Sequence, residues 1–404
     1  MAKEKPRINN DEKFYSVVHR IPTPSLIYNI LHAQGLMIGT ALEVFGPFKS
    51  GKTTFCYQTA QLHLEKYKEF AEVVIIDTEC NASACISRLS RGFGLNPGND
   101  EVVDLVFERD ERVFLYFIPT IEECFNKVIE HLIRSKEQNK ITLIVIDSIA
   151  NLYPKAEGEQ LEKSLATGKP EEAFSQGMML KSRLTTDRMK KMMGYLPHSL
   201  ATVLMTNQVT ANIGSYAGGV KSAGGNNKNH QIHASLRMDY GGSKALVASK
   251  DADVKAYIDE KSQEDETSKK ITYTTLSFDK NKLSICVEKI PLMIKNTESG
   301  KFIWQYEAWS VATTLKLVKN SGGWYYFDDM IIDKYKDATF TTSDGTVKTI
   351  DKGWRSQDII TSVELMDILK HELEIYYRSN YSTVDDIYTY RQEFIDKKGI
   401  KFFV

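Results

Sequence analysis

The stretch that decides the fold is ALEVFGPFKSGKTTFCYQTAQ, residues 41–61. Its first five residues form an apolar run of strand type, and a run with helical spacing follows from about residue 52. Between the two, residues 46–53 match the motif G-x-x-x-x-G-K-[ST]. That motif is informative when a strand precedes it and a helix follows it, as here. The sequence therefore predicts a phosphate-binding loop at a strand-to-helix junction.

The residue types in this loop suit the binding of ATP with Mg²⁺. Glycines allow backbone N–H groups to curl around phosphate oxygens at the positive end of the following helix. Lys52 should reach the β and γ phosphates, and the Thr53 hydroxyl should ligate Mg²⁺. The predicted ATP-binding residues in this loop are Gly46, Pro47, Phe48, Lys49, Ser50, Gly51, Lys52, Thr53 and Thr54.

On both sides of the loop, short apolar runs alternate with longer amphipathic stretches. This alternation predicts an α/β fold, in which a mostly parallel sheet is covered by helices on both faces. After residue 225, strand-like runs are joined by connections too short for crossover helices, which favours an antiparallel extension of the sheet. The predicted strands are 40–45, 72–77, 141–147, 201–207, 235–240, 271–278, 283–289 and 301–307, and the predicted helices lie near 52–66, 121–135 and 175–193.

The pattern divides the chain into three parts. Residues 1–20 form a short polar arm, residues 21–310 an ATPase-type core, and residues 311–404 a small α+β C-terminal domain. Within the core, residues 244–270 are dense in both charge signs and poor in large apolar residues. That composition indicates a solvated loop or a long hairpin insertion.

Composition narrows the classes of function. The 404 residues are 42% hydrophobic, so the chain can bury a full core. The 52 Lys and Arg against 53 Asp and Glu give a net charge of -1, so any contact with nucleic acid must be local. The five cysteines form no CxxC pair, and no run is long and apolar enough for a membrane span. These features indicate a soluble protein of a reducing cytoplasm, without a disulfide framework or zinc site.

Three further polar residues stand at the ends of predicted sheet strands. Asp147 ends the buried run 141–147 and could hold Mg²⁺ through water. Glu79 follows the strand run 72–77 and suits activation of the attacking water, while Gln208 could sense the γ-phosphate. From spacing alone, a strand-ending turn at Asp147, a helix cap at Glu79 and a turn at Gln208 remain alternatives.

Together these motifs resemble the RecA-type recombinases, and within that family the UvsX-like recombinases of tailed phages. The resemblance covers roughly residues 17–360. It is carried by GPFKSGKTT (46–54), IIDTE (75–79), LIVIDSIANLYPKAE (143–157), TNQVTANIG (206–214), SAGGNN (222–227), CVEK (286–289), GGWY (322–325) and GWRSQD (353–358).

The resemblance implies a RecA-like P-loop ATPase core and a DNA-dependent ATPase activity. Lys52, Glu79 and Gln208 would be the catalytic residues, with Thr53 and Asp147 at the Mg²⁺, and Lys289 would reach the ATP of a neighbouring subunit. The protein would form a helical filament on single-stranded DNA, pair it with homologous duplex DNA, and release it on hydrolysis. Mediator or single-strand-binding proteins are possible partners, and a phage protein would act in the cytoplasm of its bacterial host.

Two loops, residues 157–177 and 209–225, resemble the family's DNA-binding loops. The second is rich in Gly, Ser and Ala, yet it contains side chains that could stack on bases or contact phosphates. Without the resemblance, a glycine-rich loop is usually only a loop, and a basic helix only a solvated face. The predicted DNA-binding residues are Lys181, Arg183, Arg188, Ile213, Tyr216, Lys221, Gly224, Gly225 and Asn226.

Two other functions share the nucleotide motifs. A ring-forming motor ATPase of the same core fold, such as a helicase, would use Lys52, Glu79 and Asp147 in the same way. A weakly hydrolysing regulator of recombination is the alternative from another class, because the arm before Arg20 is short and no second basic residue stands next to Lys289.

Overall fold

The computed structural model describes residues 20–32, 34–78, 112–159, 177–211, 220–222, 230–245, 270–282, 290–295, 301–342 and 344–380. Its strands are β1 (Arg20–Ile21), β2 (Leu36–Met37), β3 (Ala41–Phe45), β4 (Ala71–Asp77), β5 (Val113–Phe117), β6 (Ile141–Asp147), β7 (Ala201–Asn207), β8 (Val209–Ala211), β9 (Val220–Ser222), β10 (Ala234–Ala245), β11 (Lys270–Asn281), β12 (Ile290–Lys295), β13 (Lys301–Phe302), β14 (Val318–Ser321), β15 (Trp324–Phe327), β16 (Thr339–Thr341) and β17 (Val347–Thr349). Its helices are α1 (Leu26–Leu31), α2 (Lys52–Tyr67), α3 (Ile121–Glu137), α4 (Gly177–Tyr195), α5 (Trp304–Thr314), α6 (Asp329–Tyr335), α7 (Ser356–Thr361) and α8 (Val363–Asn380).

A nine-stranded mixed sheet organises the core. Its strand order is β13-β12-β11-β10-β3-β7-β6-β4-β5. The strands from β10 through β3, β7, β6 and β4 to β5 are parallel, whereas β11, β12 and β13 pair antiparallel. The predicted fold class, a parallel sheet with an antiparallel extension, is therefore confirmed.

Alternate residues of the central strands enter two separate hydrophobic clusters. In β4, Val73 and Ile75 pack into the cluster that also contains residues of α2, α5 and the C-terminal helices. Val74 and Ile76 face the other side, with residues of α3 and α4. Because both faces of the sheet are covered, these strands are continuous apolar runs, and this is why the sequence reveals them clearly.

The antiparallel end of the sheet departs from the sequence prediction. Residues 301–307 were expected to form one strand, but the strand stops at Phe302 and helix α5 begins at Trp304. The prediction was wrong because aromatic residues favour strands locally, whereas the structure buries these residues in a helix that is covered around most of its circumference, from Tyr306 to Ala312. The predicted strand 283–289 lies outside the described residues, and the strand observed next to β11 is β12.

The charged segment joins two long antiparallel strands. β10 and β11 pair as far as Ala245 opposite Lys270, so residues 246–269, which lie outside the described part, connect neighbouring strands of the sheet.

The helix α5 runs through residue 311, where the C-terminal domain was predicted to begin. None of the described helices is long and apolar enough to cross a membrane.

One buried carboxylate ties the C-terminal part to the start of the core. Glu307 of α5 accepts hydrogen bonds from the Ser25 hydroxyl at 2.7 Å and from the N–H groups of Leu26 and Ile27 at 3.0 and 2.9 Å. It therefore caps the N-terminus of α1 from a position 282 residues away in sequence. Burial raises the pKa of Glu307 to about 7, although the three donors oppose this rise.

This carboxyl group should make stability depend on pH. Its pKa rises from 4.5 to about 7 on folding, so the folded chain binds the proton more tightly, and this stabilisation fades as the pH rises through 7. We expect the free energy of unfolding of the wild type, minus that of Glu307→Gln, to fall by about 3 kcal/mol between pH 4.5 and pH 8. Urea unfolding at several pH values measures this. The same substitution at the exposed Glu364 is the control, and a pH-independent difference would contradict the assignment.

Candidate nucleotide-binding site

The polar residues predicted from the sequence meet at one edge of the sheet. Phe45 pairs with Asn207, and Asp77 pairs with Asp147, so the strands β3, β7, β6 and β4 end at the same level. The chain therefore enters the phosphate loop, the Gln208 segment and the Asp147 turn side by side. In parallel sheets, ligands bind at this carboxyl edge.

The loop between β3 and α2 requires glycine at both of its motif positions. A Cβ on Gly46 would lie 2.0 Å from the carbonyl oxygen of Met238, which leaves no room for a side chain. Gly51 has a φ of 92° and is the N-cap of the 16-residue helix α2. The loop thus brings backbone N–H groups to the positive end of a helix. That arrangement binds anions.

Lys52 lies across the loop. Its ammonium donates to the carbonyl oxygens of Gly46 at 2.9 Å and Pro47 at 2.8 Å. The buried Ser50 hydroxyl has no hydrogen-bond partner among the described residues. In contrast, the ring of Phe48 is 84% exposed, with the Lys49 ammonium 5.6 Å from its centroid. The lysine and the loop are thus close enough to share one phosphate ligand.

Asp147 is fixed at the end of β6 by hydroxyl groups from two other elements. Thr53 Oγ1 of α2 donates to its Oδ2 at 2.9 Å, and Thr206 Oγ1 of β7 donates to its Oδ1. The peptide bond that follows, between Asp147 and Ser148, is cis. The hydroxyl and carboxylate oxygens fit Mg²⁺, which prefers oxygen ligands and completes its shell with water and phosphate. The side chains of Thr53 and Asp147 are therefore suited to hold this ion.

Two threonines in this cluster were missed by the sequence analysis. Besides Thr206, Thr78 donates from its hydroxyl to Ser148 O at 2.7 Å and accepts from Ser148 N–H at 2.9 Å. Both residues are polar and stand at or just beyond the end of a buried strand, which is the signal that could have identified them. They hold the turn after Asp147 in place.

Glu79 itself lies outside the described residues, directly after Thr78. Gln208 is described: its side chain is exposed, and its backbone N–H donates to Asn207 Oδ1 at 2.9 Å. The strand register places it beside the start of the phosphate loop, because Asn207 pairs with Phe45. The structure thus brings Gln208 to the same edge as Lys52 and Asp147.

The predicted second DNA-binding loop is described at its two ends. β8 and β9 pair antiparallel, with Val209 opposite Ser222 and Thr210 opposite Lys221. We call this pair of strands, residues 209–211 and 220–222, the hairpin stem. The other candidates in this loop, and the predicted trans-acting lysine, lie outside the described residues: Ile213, Tyr216, Gly224, Gly225, Asn226 and Lys289.

The three basic candidates on α4 differ in their surroundings. Lys181 is half-buried and donates to Ala150 O at 2.6 Å, and burial lowers the pKa of its ammonium. Arg188 donates to Asn126 Oδ1 at 3.2 Å across the α3–α4 contact. Arg183 is exposed to solvent. Arg183 is therefore the most accessible of the three for a phosphate.

Comparison with known proteins identifies the family of this chain. A family model described as the RecA N-terminal domain matches residues 8–272, which is more than half of the chain. The chain therefore belongs to the RecA family, and the predicted family is confirmed. Its phage UvsX-like branch stays a prediction.

Individual relatives are similar at modest identity. Protein RecA 2 of Myxococcus xanthus is 30% identical over 236 residues, 58% of this chain and 56% of that protein. Protein RecA of Bacteroides thetaiotaomicron is 27% identical over 326 residues, 80% and 81% of the two chains. Protein RecA of Borreliella afzelii is 28% identical over 295 residues, 72% and 66%. The match thus spans little more than half of the Myxococcus protein.

Proposed function

We propose that this chain is an ATP-dependent recombinase that assembles on single-stranded DNA and pairs it with a homologous duplex. One observation carries the proposal. The Lys52 loop, the Thr53–Asp147 pair and the hairpin stem leave neighbouring strands at one edge of the sheet. The bound nucleotide and the DNA-binding loop would therefore lie next to each other, so that the presence of ATP could influence DNA binding.

In the proposed reaction, the chain binds and orients ATP for attack by water. The loop N–H groups and the Lys52 ammonium hold the β and γ phosphates and stabilise the charge that develops on them. Thr53 and Asp147 would hold Mg²⁺, which would neutralise part of the phosphate charge when bound. Glu79 takes a proton from the water that attacks the γ-phosphorus, and ADP leaves. Gln208 would register whether the γ-phosphate is present.

DNA binding and assembly complete the proposal. The loops 157–177 and 209–225 would contact the DNA backbone and stack on its bases, while sequence recognition would come from base pairing. Lys289 would reach ATP bound by the neighbouring subunit, so that ATP lies between protomers of a helical filament. Hydrolysis would then release the DNA. Mediator and single-strand-binding proteins are proposed partners.

Steady-state ATP hydrolysis, measured with and without long single-stranded DNA over a range of protein concentrations, tests this function. We expect strong stimulation by DNA and a sigmoidal dependence on protein concentration, because assembly would complete the active site. An ATP hydrolysis rate that is the same with and without DNA would refute the proposed function and favour a weakly hydrolysing regulator of recombination. Negative-stain images with DNA and a non-hydrolysable ATP analogue distinguish extended helices from the closed rings of a motor ATPase.

The exposure of Arg183 leads to a specific prediction for DNA binding. If Arg183 contacts a phosphate, Arg183→Ala should weaken DNA binding irrespective of sequence and reduce the slope of log affinity against log salt by about 0.7. Lys191→Ala is the matched control, since Lys191 is on the same helix but pairs with Asp187 at 3.2 Å. Fluorescence anisotropy with single-stranded DNA at several salt concentrations measures both slopes. Equal slopes in wild type and Arg183→Ala would remove Arg183 from the interface.

A further inference from the structure

A second buried carboxylate lies close to the phosphate loop, and the reaction proposed above does not use it. Glu43 stands in the middle of β3, three residues before Gly46, and its side chain is 0% exposed. Its neighbours in β3 are apolar and buried. A carboxylate in such a place is costly unless hydrogen bonds replace its lost water.

Three donors from three different strands surround this carboxylate. The Asn207 amide nitrogen of β7 and the Ser222 hydroxyl of β9 both donate to Glu43 Oε1 at 2.6 Å. The Ser235 hydroxyl of β10 donates to Oε2 at 2.9 Å. All three donor residues are buried. Glu43 is thus a junction between the strand of the phosphate loop, the end of β7 and the hairpin stem.

The hydrogen bonds hold the base of the hairpin stem, where the chain enters the first strand and leaves the second. Asn207 precedes the first stem strand, and Ser222 is the last residue of the second. The two are also joined directly, because the Asn207 amide nitrogen donates to Ser222 Oγ at 3.0 Å. Asn207 Oδ1 in turn accepts from the backbone N–H of Gln208 at 2.9 Å. One chain of contacts therefore links Glu43 to Gln208, which precedes the stem, and to Ser222, which ends it.

A buried carboxylate contributes little to folding stability, since apolar side chains of similar volume often stabilise the same position as well or better. It is a good way to fix a position, because its two oxygens accept only correctly placed donors and a displaced donor leaves a buried charge unsatisfied. Two of the three contacts go to residues that flank or form the stem. This distribution is what a positioning role requires.

We propose that Glu43 is a positioning residue that clamps the hairpin stem to the strand of the phosphate loop and so couples nucleotide binding to the state of the DNA loop. The proposal deepens the proposed function and rests on it only for the identity of the ligands. A change in the loop 46–53 on nucleotide binding passes along β3 to Glu43. From there it reaches Asn207, Gln208 and Ser222 through hydrogen bonds rather than through the sheet as a whole.

The chain offers a matched pair of variants for the test. Ser222→Ala and Ser235→Ala each remove one hydroxyl donor from the same carboxylate, but only Ser222 belongs to the stem, and only its hydroxyl also accepts from the Asn207 amide. Amide hydrogen exchange of the full-length protein, followed by mass spectrometry, reports on peptides covering residues 209–222. The measurement is made without nucleotide and with saturating non-hydrolysable ATP analogue and Mg²⁺.

In the wild type, we expect the analogue to change the exchange of this segment. In Ser222→Ala the segment should exchange at least about tenfold faster without nucleotide, because the hydrogen bonds to Glu43 and from Asn207 are both lost, and its response to the analogue should largely disappear. Ser235→Ala should behave as the wild type in this segment. Identical exchange in the two variants, or an unchanged response in Ser222→Ala, would overturn the proposal.

A second variant and a second readout separate this proposal from the proposed function. Glu43→Gln keeps the shape of the side chain but removes the charge and one acceptor, and it should give the same faster exchange as Ser222→Ala. If DNA does not stimulate ATP hydrolysis by the wild type but the expected exchange pattern is observed, the recombinase function is refuted and the positioning role of Glu43 is supported. If DNA stimulates ATP hydrolysis by the wild type and by Ser222→Ala to the same extent, and residues 209–222 exchange equally in both, only the positioning role of Glu43 is refuted.

Discussion

Lys52→Ala should reduce kcat/KM for ATP hydrolysis by about a thousandfold, which corresponds to about 4 kcal/mol of lost transition-state stabilisation. The reason is geometric as well as electrostatic. The Lys52 ammonium lies within 2.9 Å of two carbonyl oxygens of the loop that would hold the phosphates. The shortened side chain leaves the charge that develops on the γ-phosphate without this cation.

The control for this prediction is Lys66→Ala. Lys66 lies in the last turn of the same helix α2, where it bonds to the backbone carbonyl of Arg20 at 2.9 Å. Its removal takes away the same charge and should change hydrolysis by less than about threefold, since its effect on the helix end amounts to a few tenths of a kcal/mol. Survival of both hydrolysis and ATP-dependent DNA binding in Lys52→Ala would show that the nucleotide site is elsewhere.

Glu79→Gln should have a comparable effect, a fall in turnover of about a hundred- to ten-thousandfold with ATP binding retained. Its described neighbour Thr78 is hydrogen-bonded to Ser148, beside Asp147, at the edge of the sheet where we propose that ATP binds. A glutamine can orient a water molecule but cannot accept its proton. Single-turnover hydrolysis and equilibrium binding of a fluorescent ATP analogue measure the two effects separately.

Glu130→Gln is the matched control for the loss of one carboxylate. Glu130 is on the exposed side of α3, where it pairs with Lys127 at 2.6 Å, and exposed pairs of this kind contribute little. We expect its turnover to equal that of the wild type. Wild-type turnover in Glu79→Gln as well would exclude Glu79 as the general base. Asp77, which is buried at the end of β4, would then be the next residue to substitute.

Local patterns in the sequence determined the parallel core and the phosphate loop. The strand ending at Phe45, the loop 46–53 and the helix from Lys52 are contiguous, so their spacing alone carries the information. The end of β6 at Asp147 could also be predicted, because a strand buried on both faces is an unbroken apolar run. The extent of the helix α5 could not, since aromatic side chains favour strands locally, and a helix buried around most of its circumference shows no amphipathic pattern in the sequence.

Only the tertiary structure decided which polar residues meet. Glu43 and Ser222 are 179 residues apart in sequence, and Glu307 and Ser25 are 282 apart, yet each pair is joined by a hydrogen bond. Nothing in the spacing of these residues indicates a partner, because the strand order and register of the sheet bring them together. A glutamate within an apolar strand shows from sequence only that burial must be compensated. Which side chains compensate it is fixed when the strands pair.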